Sequence, residues 1–575
     1  MNIADRYQIE EVIAGQDESE WKSFTSDKNY SYVVDQQNGN YSNQVSWDLT
    51  SLVNQNSWMA IQEGYILMPF SSTIALGTAV LTLPTAFNQN RLALKNNFIN
   101  FVDSIQLFVN GEQLVDQTSF SNMPINVMDM LTMSQDDLAL EGEALNICPD
   151  TTTAIRYSGP AATINGDGYT ANQYLTSANA TTLTGLDYST MNEGLKKRSL
   201  TTSLYPQATG SALNGWPPAL GSTVNNFTQI LAPYFSEANA SSLAVQGTWN
   251  YVVYLPLKRL SDLLFKYPLV KGSQIRLTLN FNAGVTTVTT DTTATNALLK
   301  LTSYNATAGN TNPVMLTSNY INPITSTSTA GTMTITTKIQ TQTVARVATT
   351  TAQKGYAALP NCRIYIPSYK VNPTYEERIL SNRVQKIRYL DWYQQPIINV
   401  SNGGQFNQTL TTALTNTQIL IILPFQNASG TNLFATSGAA GGQWQSPFDS
   451  APATTMPGGM LAFQNFNVQV SGINVFNLNS NYSYDIWAQE VQRLGLNGAL
   501  SKELSSGLMS QTSWNWSPYV IADISRRNEN ADKTYQSITV SGTNNSGVAV
   551  DYYCFIGYQK EVEVDVLTGA VKRVF

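Results

Sequence analysis

There is no histidine anywhere in the 575 residues. Its absence removes the commonest general base, the commonest metal ligand and every Ser-His or Cys-His nucleophile pair. GxxxxGK[ST], GxSxG and GxGxxG patterns are missing too, so nothing marks a phosphate cradle or a hydrolase elbow. Cysteine is scarce, with three residues and neither zinc-finger nor CxxC spacing. A disulfide framework is not expected, and Cys362 and Cys554, both in predicted strands, read as small buried hydrophobes. Charge is also thin: Asp, Glu, Lys and Arg make up 12% of the chain, with net charge −7 and no basic run at either end. Counterion-release binding needs clustered cations, so direct sequence-specific nucleic-acid binding is not expected. No apolar run reaches the roughly 18 residues that a membrane-spanning helix needs. Met1 to Arg6 lack an apolar signal core, from which cytosolic synthesis is expected.

What the chain does have is 42% apolar residues and a polar remainder built on Ser, Thr, Asn and Gln. Such a surface is hydrated without strong charge repulsion, which suits molecules packed against copies of themselves. The length exceeds one ordinary domain and suffices for large cores.

The most informative stretch runs from Thr248-Trp249-Asn250-Tyr251 to Asn282. It reads as a strand (Tyr251 to Leu255), a short helix (Arg259 to Phe265) and a second strand (Gln274 to Phe281). In that second strand Ile275, Leu277, Leu279 and Phe281 alternate with polar residues, as in a sheet with one face in the core. Lys271-Gly272 supplies the turn before it. The chain then repeats itself at Ser513-Trp514-Asn515-Trp516, Tyr519-Val520-Ile521 and Gln536 to Val540. Other pairs follow in the same order. Ile66-Leu67-Met68-Pro69-Phe70 matches Ile421-Ile422-Leu423-Pro424-Phe425. Ser104 to Gly111 resembles Asn467 to Gly472, and Asn361 to Tyr365 resembles Tyr553 to Tyr558. A duplication with unequal insertions keeps such an order, and the reading is two related β domains in tandem.

Residues 1–40 are expected to form an N-terminal arm. A first jelly roll spans 41–372, with insertions at about 149–247 and 284–340 that read as surface projections. Within it lie a hairpin from Ile105 to Val115, turning at Asn110-Gly111, and a helical stretch from Pro124 to Leu140. A linking helix occupies 373–383, with Pro373 at its start. The second jelly roll covers 384–575, with an insertion at about 427–460 and helical patterns at Tyr484 to Leu494 and Leu500 to Met509. The fold class is therefore mainly β: two tandem jelly-roll sandwiches, a double jelly roll with short helices and long loop insertions.

Chemistry finds few candidates. Asp136-Asp137, Glu376-Glu377 and Glu141 with Glu143 are acidic pairs, but they read as solvated or dipole-compensating charges. Lys196-Lys197-Arg198 is the densest cationic spot and reads as a solvated loop or a contact with an acidic neighbour. No catalytic, cofactor-binding or metal-ligating residue is nominated, and an enzyme is not expected.

Several motifs carry a resemblance. They are Phe463 to Gly472, Ser446-Pro447-Phe448-Asp449, Tyr254-Leu255-Pro256-Leu257, and the closing Val562-Glu563-Val564-Asp565-Val566-Leu567-Thr568-Gly569. Together they resemble the double jelly-roll major capsid proteins of tailless double-stranded DNA viruses. The likeness is nearest to the Polinton-like virus, adintovirus and virophage branch, with adenovirus hexons more remote. It is best over residues 361–575 and absent from the insertions. The resemblance implies a homotrimeric, pseudo-hexagonal capsomer tiling an icosahedral shell, located in the virion capsid and assembled in an infected eukaryotic cell. Its implied partners are itself, neighbouring capsomers, a penton protein and minor or cement proteins. Trp216, Tyr234 and Phe235 are candidate contacts in such a trimer. The alternative is a virion spike or penton-type β protein binding host glycans; pentons of that family hold one jelly roll, so the tandem repeat counts against it.

Overall fold

The structure, a computed structural model, describes residues 25–53, 57–76, 92–149, 197–198, 234–237, 247–282, 284–291, 298–301, 312–316, 332–341, 359, 361–426, 462–496, 508–511, 514, 518–525, 534–546 and 549–574. The first half opens with β1 (Thr25–Val34), β2 (Gln44–Asp48), β3 (Trp58–Met59), β4 (Tyr65–Leu76) and β5 (Leu92–Leu94). Then come β6 (Val102–Val109), β7 (Glu112–Val115), helices α1 (Asn122–Thr132) and α2 (Gln135–Glu141), β8 (Tyr234–Glu237) and β9 (Gly247–Pro256). It continues through α3 (Asp262–Lys266), β10 (Ile275–Phe281), β11 (Gly284–Asp291), β12 (Leu298–Leu301), β13 (Val314–Leu316), β14 (Thr332–Ile339) and β15 (Arg363–Val371). Helix α4 (Pro373–Ser381) leads to β16 (Val384–Val400), β17 (Gln405–Leu414), β18 (Thr417–Gln426), β19 (Phe463–Val470) and β20 (Ile473–Asn474). Helix α5 (Tyr484–Arg493), β21 (Val520–Asp523), β22 (Gln536–Asn544), β23 (Val550–Asp565) and β24 (Val571–Arg573) complete the chain.

Pairing sorts these strands into the same pattern twice. In the first half β4 lies between β15 and β9, with β1 outside β15, and the second sheet runs β2-β10-β6-β7. In the second half the sheets run β16-β23-β18-β21 and β17-β22-β19-β20. Taken in chain order, β1, β2, β4, β6, β7, β9, β10 and β15 occupy the places of β16 to β23. Two facing sheets that each contain such a four-strand order are a jelly roll, and the chain holds two. In the first, Phe70 of β4 meets Phe281 of β10 across the sandwich, ring centroids 6.0 Å apart. In the second, Tyr552 of β23 meets Phe463 of β19 at 4.8 Å and Phe406 of β17 at 5.5 Å.

The repeated blocks fall on equivalent strands, but their faces are not all in step. Phe70 points into the first core, so its neighbour Pro69 points out. Pro424 pairs with the inward Tyr552 and therefore points in. A one-residue slip exchanges the two faces of a strand. The second sandwich tolerates the slip because both faces of β18 are covered, with Leu420, Ile421, Ile422 and Leu423 all buried. The tryptophans differ as well. Trp249 lies within β9, whereas Trp514 precedes β21 and is buried against Trp487 and Tyr484 of α5.

Three expectations need correcting. Thr25–Val34, assigned to the arm at 1–40, is strand β1, paired along its length with β15. It escaped notice because its alternation is short: Tyr30 and Tyr32 alternate with Asn29 and Ser31, but Lys28 ends the aromatic face. The insertion at 284–340 is more than a surface projection: β14 pairs with β4, β11 pairs with β14, and Ile335 and Ile339 are buried in the first core. Its threonines are β-branched strand formers, and Ile335, Thr337 and Ile339 have the period of a one-sided strand. The stretch from Pro124 to Leu140 is two helices, broken at Met133-Ser134, where Ser134 and Asp137 form a capping box for α2. Most of the insertions at 149–247 and 427–460, and the helical pattern at Leu500 to Met509, lie outside the described residues.

Candidate functional site

Polar and aromatic contacts join the two sandwiches where the segment after β7 meets the outer face of β16 and β23. The hairpin feeding that segment turns at Asn110-Gly111, both with positive φ, as a two-residue hairpin requires. Beyond it, the Leu114 carbonyl accepts from the Tyr389 hydroxyl at 2.6 Å, and the Thr118 hydroxyl donates to the Trp392 carbonyl at 2.6 Å. The Phe120 ring meets Tyr553 edge-on, centroids 5.5 Å apart. Helix α1 follows, and its Met123, Val127, Met130 and Leu131 are buried in the same apolar cluster as Ile421, Trp487 and Phe555 of the second half. Reciprocally, Ile387, Tyr389, Val562 and Val564 complete the first core. Each sandwich is thus closed partly by the other.

A charged cluster sits at the centre of this junction. Lys560 Nζ lies 2.5 Å from Asp391 and 2.8 Å from Asp116, and the Tyr558 hydroxyl donates to Asp116 at 3.3 Å. Burial pushes the Asp391 carboxyl above the ordinary aspartate value, and the Lys560 ammonium partly offsets this. Alongside, Asp262 accepts from the Leu390 amide at 2.9 Å and Lys266 donates to the Arg388 carbonyl at 3.0 Å. The geometry neutralises charge at a packed seam. It provides no carboxylate pair facing a cleft.

At the far end of the seam, the Lys271-Gly272 turn touches a second glycine turn at Thr568-Gly569. The Lys271 amide donates to the Val566 carbonyl at 2.9 Å. Gly569 has φ +69°, and a Cβ there would come within 2.4 Å of Ser273 Cα. Gly569→Ala should cost about 1–2 kcal/mol for the left-handed backbone alone, with the backbone clash adding to it. A urea midpoint equal to that of the unaltered chain would show that this turn contributes nothing.

The acidic pairs separate into structural partnerships. Asp136 and Asp137 lie in the first turn of α2. Glu376 bonds Lys271 at 2.6 Å and accepts from the Trp58 indole at 3.2 Å. Glu141 pairs with Arg259 at 3.3 Å, and Glu143 with Lys197 at 2.6 Å. The basic triplet divides: Lys197 meets its acidic neighbour, whereas Arg198 is buried and donates to the carbonyls of Leu94 and Cys148. A solvated loop therefore does not describe Arg198, whose guanidinium needs those carbonyls once out of water. Tyr234 and Phe235 lie in β8, paired with Asn250 and Trp249; Trp216 lies outside the described residues. Cys148, Cys362 and Cys554 are buried free thiols, and burial raises the last two above the ordinary thiol range. Among the described residues no group of three or more Cys, Asp or Glu is placed to hold a metal, and no helix is long and apolar enough to cross a membrane. Sequence reasoning missed the Lys560–Asp391–Asp116 cluster, because its members come from three distant segments with no shared spacing.

By its own strand order the molecule is a double jelly-roll β protein. No family model matches the chain, and no curated protein matches it. Among solved structures, it is similar to the mavirus major capsid protein at 9% identity, covering 98% of this chain and 94% of that one, with a TM-score of 0.46. It is also similar to a chain of the Sputnik virophage at 10% identity, covering 98% and 91%, with a TM-score of 0.47. The Faustovirus major capsid protein matches at 9% identity over 96% and 94%, with a TM-score of 0.42.

Proposed function

We propose that this chain is a major capsid protein, a structural component of the shell of a tailless double-stranded DNA virus. Three copies would form a pseudo-hexagonal capsomer. The observation that carries the reading is the jelly-roll strand order repeated in one chain. Two similar sandwiches joined side by side, repeated about a threefold axis, give a ring with six nearly equal sides. Such a tile closes a shell through few kinds of contact. The division into jelly rolls over 41–372 and 384–575, joined by 373–383, belongs to this proposal, with the first start moved back to Thr25. Obligate interfaces of this kind bury on the order of 2,000–5,000 Å², and the thinly charged, hydroxyl- and amide-rich surface suits them. Penton and minor capsid proteins would be its partners in the virion.

Sedimentation and negative-stain electron microscopy of the expressed full chain test the proposal. The expected result is a trimeric particle with a hexagonal outline at its base. A chain that stays single at all concentrations, and in purified particles, would overturn it.

A further inference from the structure

The seam inside the chain shows how one sandwich receives its neighbour. The outer face of β16 and β23 is covered by the segment that follows β7, through Thr118 and Phe120. The equivalent face of the first sandwich belongs to β1 and β15, and there the rings stand open. Tyr32, Tyr365 and Tyr65 form one row across β1, β15 and β4. Their ring centroids are 5.6 Å and 5.0 Å apart. The Arg363 guanidinium lies 4.9 Å over Tyr32, and Lys28 lies 5.3 Å over Tyr30. Tyr30 is 53% and Tyr32 52% exposed.

The matching projection on the second sandwich is open as well. The segment after β20 occupies the place of the segment after β7, and each leads into a helix laid beside its own sheet. An acid ties each helix down: Asp129 of α1 pairs with Arg259 just beyond β9, and Glu490 of α5 accepts from the Asp523 amide of β21. In the first half Phe120 is half-buried against Tyr553. In the second half, Leu478, on the same approach to the helix, is 80% exposed.

We infer that the tyrosine face of β1 and β15 receives the Leu478 segment of a second copy of this chain, repeating between chains the contact the two sandwiches make within one. This deepens the capsomer reading and rests on it. A large aromatic face with cations over its rings is the composition of a binding hot spot. A leucine projecting from a segment of Asn and Ser is its apolar complement, and neither surface carries like charge against the other. The two surfaces lie on different sandwiches, so the contact is head-to-tail. A ring of three closes it.

The test uses Tyr32→Asp and Leu478→Asp separately in the full chain, with sedimentation velocity for assembly and circular dichroism for fold. Each variant should keep its β spectrum while the trimer weakens by about tenfold or more. Because the native thiols described are buried, a flexible bis-maleimide on Tyr32→Cys/Leu478→Cys should link chains into covalent dimers and trimers. Neither single cysteine variant should do so. If the unaltered chain is trimeric, and both aspartate variants are equally trimeric without cross-links, this surface is wrong and the capsomer reading stands. If the unaltered chain is monomeric throughout, both fall.

Discussion

Lys560→Met should destabilise the folded chain by about 3–5 kcal/mol, the usual consequence of stranding a buried charge. Lys560 is largely buried, and it is the cation beside Asp391, whose side chain is 6% exposed. Removing the ammonium leaves that carboxylate in a desolvated seam with only the Trp392 and Asp116 amides as donors among the described residues. Asp116, nearly half exposed, turns to water at small cost. The companion variant Lys560→Met/Asp391→Leu removes both charges and should recover most of the loss, because an apolar pair of similar volume replaces the ions without leaving either unpaired. Urea unfolding of the two variants and the unaltered chain decides. Equal midpoints for the single variant and the unaltered chain would mean that water already reaches Asp391.

Phe70→Ala should cost about 3–5 kcal/mol, the range for deleting a buried aromatic ring. Phe70 is fully buried, edge-on to Phe101 at 4.6 Å and Phe281 at 6.0 Å, and stacked near Tyr251 at 6.3 Å. The cavity would open between the two sheets, where neither can move in without breaking its own ladder. The loss should register in both sandwiches. Ile387, Tyr389, Val562 and Val564 of the second half complete the first core, and α1 of the first half completes the second. Hydrogen exchange at Val520–Asp523, in the second sandwich, should therefore quicken along with exchange in β4. Protection there that stays unchanged while the first sandwich opens would show that the halves unfold independently.

The duplicated blocks were legible because strand chemistry is local. Ile275 to Phe281 alternate, Asn110-Gly111 demands a hairpin, and Pro373 starts a helix at a position where its missing N–H costs nothing. Register was less legible. The match of Pro69 with Pro424 placed the right strands together and the wrong faces, because a strand buried on both sides carries no alternation to count. Strand β1 was missed for the complementary reason: it lies at a sheet edge, with tyrosines and polar residues on its open face. The threonine-rich 284–340 stretch was discounted as loop by composition, although Thr is at home in a strand.

From the sequence alone came the class of the molecule: chemistry based on histidine ruled out, little charge, and one β pattern stated twice in order. Tertiary structure decided which surfaces meet. The Lys560–Asp391–Asp116 cluster joins residues far apart along the chain, and the contrast between half-buried Phe120 and exposed Leu478 exists only once both sandwiches are folded and set side by side. Periodicity is a property of neighbours in the chain, whereas burial depends on what distant segments bring to the same place.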